Sequence, residues 1–222
     1  HTEEILTTFT AWTDELAKAQ YDEKTTASNS LPKVGNGYYY LTQDVELSTS
    51  WKPADGTVLC LNGYSITSTS YNCGIMIDNG VTFTLTDCNG SNKTYHFSEN
   101  YRRWQLDDSG SHTVTGGIIT HAKYEYGSGV LVDGTGTFDM YGGTLVGNSG
   151  TSAGSGSSNG SNGGGVYVKG EGSRFNLYAG AITGNTVKGE NASYGGGGVY
   201  VGDSGYFDMY GGTISNNALA RF

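Results

Sequence analysis

The chain holds 222 residues with a hydrophobic content of 36%, low for a compact globule and adequate for one narrow, elongated core. Twelve basic against 21 acidic residues leave a net charge of −9, which repels nucleic acid and anionic membrane surfaces, and no basic stripe offers a local exception. Glycine is the outlier at 37 residues, against an average usage of about 7%; 17 tyrosines argue against a disordered chain, and only two prolines against collagen or a proline-rich spacer.

Residues 1–36 lie outside the repeat described below and are expected to form an N-terminal cap. Within them Asp14–Gln20 (DELAKAQ) reads as a short capping helix or a loop excursion. A stack of strands needs its open end covered, because exposed edges pair with other chains. Residues 37–222 are expected to form one elongated β domain. Thr57–Thr67 (TVLCLNGYSIT) reads as a coil edge, and Gly74–Cys88 (GIMIDNGVTFTLTDC) as two strands. Cys60, Cys73 and Cys88 show no CxxC spacing and no nearby histidine pair, so no zinc site is expected. They allow three different single disulfides, or three reduced thiols. Ser98–Asp108 (SENYRRWQLDD) interrupts the pattern and reads as a loop leaving the stack. Ser111–Ala122 (SHTVTGGIITHA) then returns to it. No apolar run is long enough to span a bilayer, so no membrane insertion is expected.

The second half carries an internal repeat. Gly129–Asn148 (GVLVDGTGTFDMYGGTLVGN), Gly165–Asn185 (GVYVKGEGSRFNLYAGAITGN) and Gly198–Asn217 (GVYVGDSGYFDMYGGTISNN) align, with Val130, Val166 and Val199 equivalent. The slack falls in low-complexity linkers such as Gly150–Asn162. Within each unit apolar residues alternate with polar ones, the mark of a strand with one buried face. Each unit therefore holds three short strands, roughly GVYV, FDMY and GTI, punctuated by glycine turns. One unit cannot bury its apolar face alone, and no helix lies between units to cover it. Stacking coil on coil solves this, with equivalent residues in ladders about 4.8 Å apart. The expected ladders are Val130/Val166/Val199, Phe138/Phe175/Phe207, Met140/Leu177/Met209 and Leu145/Ile182/Ile214. Phe83 and Leu85 extend two of them upstream. Asn148, Asn185 and Asn217 recur at one turn position, where stacked amides hydrogen-bond one another or the turn backbone. The expected fold is an all-β, right-handed, single-stranded parallel β-helix of about five coils.

The stretch from Tyr38 to Cys88 and the GGGVYV…FDMYGGTISNN units resemble the β-helix repeat region of adhesin-like surface proteins from gut Firmicutes. The resemblance covers roughly residues 30–217. It implies secretion and cell-surface attachment, with the β-helix one module of a longer multidomain protein, and it implies no settled activity. Right-handed β-helices also include pectate lyases and other polysaccharide-active enzymes, and fold alone does not decide between them.

Two outward columns are the candidate ligand-binding residues. Tyr141, Tyr178 and Tyr210 share one outward slot, beside Asp139, Asn176 and Asp208; Tyr167 and Tyr200 follow Leu131 in a second. Flat tyrosine faces pack on sugar C–H surfaces, while carboxylates and amides accept hydroxyl hydrogen bonds. Outward aromatics also stabilise neighbouring strands simply by stacking. The expected function is a non-catalytic surface module, monomeric, that binds an extracellular glycan or host surface or displays other domains. The alternative is a polysaccharide lyase or glycoside hydrolase. Its base would be His121 or His112, and Lys123, Arg102 or Arg103 would neutralise a uronate. A carboxylate pair would come from Asp139 and Asp208, and Asp107, Asp108 and Glu125 add acidic groups nearby. The repeat favours the first reading, because polar positions differ little between coils. No cofactor and no metal site are expected: Asp133, Asp139, Asp203 and Asp208 sit singly, not clustered as a calcium cage requires.

Overall fold

A computed structural model describes residues 9–98, 100, 103–106, 109–122, 127–151, 162–189, 195–202 and 204–221. Apart from one short helix the described chain is all-β, and its strands gather into long parallel sheets. The first sheet lays seven strands side by side in chain order: Thr10–Trp12, Tyr38–Leu41, Thr57–Cys60, Thr82–Thr86, Thr137–Met140, Arg174–Leu177 and Tyr206–Met209. The second has six: Val45–Leu47, Ser65–Ser68, Ile118–His121, Thr144–Leu145, Ala181–Thr183 and Thr213–Ser215. A third ladder comprises Ser149–Thr151, Thr186–Gly189 and Ala218–Arg221. A fourth comprises Ile75–Ile77, Val130–Asp133, Val166–Lys169 and Val199–Val201. From Val130 onward the chain passes through the fourth, first, second and third of these ladders in that order three times, laying each new strand parallel to its predecessor, whereas the earlier passes omit one or more of them.

Period-two alternation dictates which side chains face inward. Phe138 and Met140 are fully buried, while Thr137 and Asp139, which alternate with them, are half-exposed. The four expected ladders stand in register: Val130 pairs with Val166 and Val166 with Val199, and the Phe138, Met140 and Leu145 rows repeat the arrangement. Phe83 and Leu85 pair with Phe138 and Met140 as the upstream pattern requires. The phenyl rings of Phe83, Phe138, Phe175 and Phe207 form a continuous stack, with centroids 5.8, 5.1 and 5.0 Å apart. Burying each such ring contributes about 1.5–3 kcal/mol. In the last circuit the same rows come to the surface, and Met209 is 50% exposed where Met140 is buried.

At the corner between the first and second sheets the chain turns through glycine. Gly180 has φ +94°, and a Cβ there would come within 2.6 Å of the Gly143 carbonyl oxygen of the preceding circuit. After the second sheet, asparagines close the turn. Asn148 Nδ2 donates to Asn185 Oδ1 at 2.9 Å, and Asn185 Nδ2 donates to Asn217 Oδ1 at 3.0 Å. Each amide also donates to a carbonyl of the preceding circuit, Ile119 O and Leu145 O respectively.

Two features depart from the reading by alternation alone. The later circuits contain a fourth strand, because Ser149–Thr151, Thr186–Gly189 and Ala218–Arg221 pair through backbone without an alternating apolar signal. The interruption of the repeat is also larger and more ordered than a loop at 98–108. Asn92–Ser98 pairs antiparallel with both Arg103–Leu106 and His112–Thr115, forming a three-stranded excursion. In the N-terminal segment, Asp14–Gln20 is a helix capped by Thr13, whose side chain accepts from Leu16 N. Ahead of it, Thr10–Trp12 pairs with Tyr39–Leu41 and extends the first sheet, and the buried Trp12 donates Nε1–H to Ser30 O at 2.8 Å. Among the described residues no helix is long and apolar enough to cross a membrane.

Candidate functional site

The outward tyrosines of the first sheet form a column, but not an open platform. Tyr141 and Tyr178 stack with ring centroids 4.3 Å apart and planes 7° apart; Tyr178 and Tyr210 do so at 4.9 Å and 8°. Parallel strands hold their equivalent side chains at about the thickness of an aromatic ring, so the faces close on one another. What the column offers to solvent is a ridge of ring edges and hydroxyls, with Tyr141 49% and Tyr210 67% exposed. Crowding shows in the central phenol. Desolvation first, then a hydrogen bond with Tyr141, raises the Tyr178 pKa above its ordinary value.

The polar residues beside the column largely engage each other. Asn176 Nδ2 donates to Asp139 Oδ1 at 2.7 Å. Asp208 is ion-paired with Arg174, whose guanidinium lies 4.8 Å from the Tyr206 ring centroid. Asp139 and Asp208 are two strand spacings apart, about 9.5 Å, with Asn176 paired between them. In the second column Tyr167 is 7% exposed and tilts against Tyr200 at 5.5 Å, so its centre is covered.

A groove lies elsewhere, where the three-stranded excursion crosses the outer face of the second sheet. Tyr95 fastens the excursion there: its hydroxyl is 2.9 Å from Thr183 Oγ1, and its ring packs beside Trp104 and His112 at 5.3 and 5.2 Å. Val114, Ile118 and Val146 join Tyr95 in a small core separate from the main one. Lys93 Nζ donates to Gly63 O at 2.8 Å and to Ser91 Oγ at 3.0 Å, pinning the other end of the same strand. Beside the Tyr95 anchor a groove of about 620 Å³ remains open. Its floor is Thr144, Thr183, Thr213 and Ser215; its wall is the strand segment Ser111–Thr115. Among the described residues its lining has hydroxyls, one amide (Asn216) and the His112 imidazole, with no carboxylate, ammonium or guanidinium. A second groove of about 690 Å³ opens beside Lys93.

The residues considered for acid–base chemistry do not converge. His121 is 4% exposed; Nδ1 lies 3.0 Å from Asn148 Oδ1 and Nε2 3.2 Å from Asn72 O, so the ring continues the asparagine ladder into the preceding circuit. His112 lies on the excursion, with Ser111 Oγ at 3.1 Å from Nδ1. Arg103 begins an excursion strand. Arg102, Asp107, Asp108, Lys123, Glu125 and Asp203 lie outside the described residues. Among the described residues no three His, Cys, Asp or Glu side chains group closely enough to hold a metal ion.

The groove was not legible as a site, because its parts are distant in sequence and join only when circuits stack. The available signal was the break in the repeat between Cys88 and Gly116, since an insertion on a regular stack must cross one of its faces. Compared with known proteins, the chain matches no family model, no curated protein and no solved structure.

Proposed function

We propose that this chain is a right-handed parallel β-helix serving as a non-catalytic, adhesin-like module of a secreted or surface-attached bacterial protein, and that it binds uncharged glycan chains in the groove under the Tyr95 excursion. The β-helix reading draws support from the long parallel sheets and from the order in which the chain passes through them from Val130 onward, which repeats three times. The surface assignment rests on the resemblance of the GGGVYV…FDMYGGTISNN units to surface-protein repeats.

One observation carries the ligand class: a groove walled by threonine and serine hydroxyls, with no charged group in its described lining. Hydroxyl and amide groups exchange donors and acceptors with sugar hydroxyls, whereas a polyuronate or phosphate needs cationic partners that the lining does not offer. The Tyr141–Tyr178–Tyr210 ridge, with Asp139, Asn176 and Asp208 beside it and the Tyr167–Tyr200 pair on the neighbouring face, is assigned a lesser role. It braces adjacent strands by stacking.

The test is a glycan array carrying neutral mucin-type and plant oligosaccharides beside uronate-containing ones. Binding confined to neutral chains supports the reading. Selective binding of uronates, or bond cleavage in any bound chain, contradicts it.

A further inference from the structure

Cys60 ends the first-sheet strand Thr57–Cys60, and Cys88 follows the next strand of the same sheet, in which Thr86 is the direct partner of Cys60. Their Sγ atoms stand 2.6 Å apart across a sequence separation of 28. This lies inside the contact distance of two unbonded sulfurs and approaches the S–S bond length of about 2.05 Å. The corner holding Cys88 is tied down from both sides. The neighbouring Asp87 accepts from Gly63 N at 2.8 Å through Oδ1 and from Gly117 N at 2.7 Å through Oδ2. Cys60 is buried, whereas Cys88 is half-buried and reachable from solvent. Cys73 is elsewhere, buried ahead of the fourth-sheet strand Ile75–Ile77, with its thiol 3.7 Å from Ser50 Oγ.

We propose that Cys60 and Cys88 form a disulfide that staples two adjacent circuits, with Cys73 remaining a thiol. The oxidant is a disulfide donor of the glutathione class. The Cys88 thiolate attacks one donor sulfur, breaks the donor S–S bond and expels one donor thiolate. Cys60 then loses its proton and attacks Cys88 Sγ, expelling the second donor thiol. Two thiols of the protein are oxidised, the donor disulfide is reduced to two thiols, and the two protons pass to those leaving sulfurs. Burial raises the Cys60 thiol pKa, so closure accelerates with rising pH. The Cys73 thiol, pushed up to about 11 by burial, stays protonated. This inference is independent of the glycan reading.

The test uses the 222-residue chain, incubated in parallel with oxidised glutathione and with a reductant, then unfolded and alkylated with iodoacetamide. The oxidised sample is expected to take up one alkyl group instead of three. Its intact mass before alkylation should be lower by two hydrogens, and digestion should yield a peptide pair joining positions 60 and 88. Cys73→Ser should leave that linkage intact. Three alkylated cysteines after oxidation, or a disulfide that joins Cys73 to either of the other two, would overturn the proposal.

Discussion

The Tyr95 ring lies against Gly184 so closely that a Cβ at position 184 would come within 2.6 Å of two ring carbons. Gly184 also has φ +60°, so glycine is required there on both counts. This contact and the Tyr95–Thr183 hydrogen bond place the excursion over the second sheet, and thereby shape the groove.

Gly184→Ala is accordingly expected to lift Tyr95 from its seat and to cost about 1–3 kcal/mol. Tyr95→Phe keeps the ring and loses only the hydroxyl, which bonds Thr183 Oγ1 and accepts from Asn216 Nδ2, at about 0.5–1.5 kcal/mol. Urea unfolding followed by circular dichroism ranks the two. Equal effects would show that the close approach of ring and backbone is not what holds the excursion.

The asparagine ladder predicts a gradient. Asn185 is buried and serves partners on both sides, accepting from Asn148 and donating to Asn217 and Leu145 O. Asn217 is half-buried at the outer circuit and donates to Ile182 O. Asn185→Ala strands several buried polar groups and is expected to cost about 2–4 kcal/mol, with Asn217→Ala costing clearly less. Chemical denaturation of the two variants checks the order.

Phe138→Ala removes the middle of the phenyl stack and leaves a cavity between Phe83 and Phe175, for an expected loss of about 3–5 kcal/mol. Phe138→Leu should recover most of it. Thermal unfolding of both variants measures the difference.

Tyr178 gives a pH signature. Its folded-state pKa lies above the ordinary phenol value, so the folded protein holds that proton longer than the unfolded chain does. Stability from this group is complete below about pH 10 and falls as pH rises through the folded value. Tyr21, partly desolvated although 40% exposed, shifts in the same direction and adds to the fall. Tm measured from pH 8 to 11 is expected to decline less steeply in Tyr178→Phe than in the parent chain.

The proposed disulfide adds a redox prediction. Closing the loop from Cys60 to Cys88 is expected to stabilise the fold by about 3.5 kcal/mol over the reduced protein in the chain-entropy model. Paired denaturation curves with and without reductant read this directly.

Much of this arrangement was written in local pattern. Val130, Phe138, Met140 and Leu145 recur with their equivalents at fixed places, and alternation alone assigned their inward faces. Ser149–Thr151 and Thr186–Gly189 escaped because they are held by backbone pairing, which leaves no apolar trace in the side chains. The slot shared by Tyr141, Tyr178 and Tyr210 was legible, but the ring orientation was not. Spacing fixes where a side chain emerges, and only the rotation about its bonds decides whether a face or an edge meets solvent. The groove was the hardest to foresee, since Tyr95, Thr113, Thr183 and Thr213 become neighbours only after two circuits and an insertion come together.

The most direct measurement is titration of a neutral oligosaccharide that binds the parent chain against a groove-filled variant, Thr113→Trp with Thr213→Trp, placing bulk on the wall and the floor at once. Both positions are exposed, so the fold is expected to persist, with an unchanged circular dichroism spectrum as the check. At least a tenfold loss of affinity is expected in this variant, and near-parental affinity when Tyr141, Tyr178 and Tyr210 are replaced by alanine. Full affinity in the filled variant, with loss in the tyrosine variant, would contradict the groove and return the binding face to the ridge.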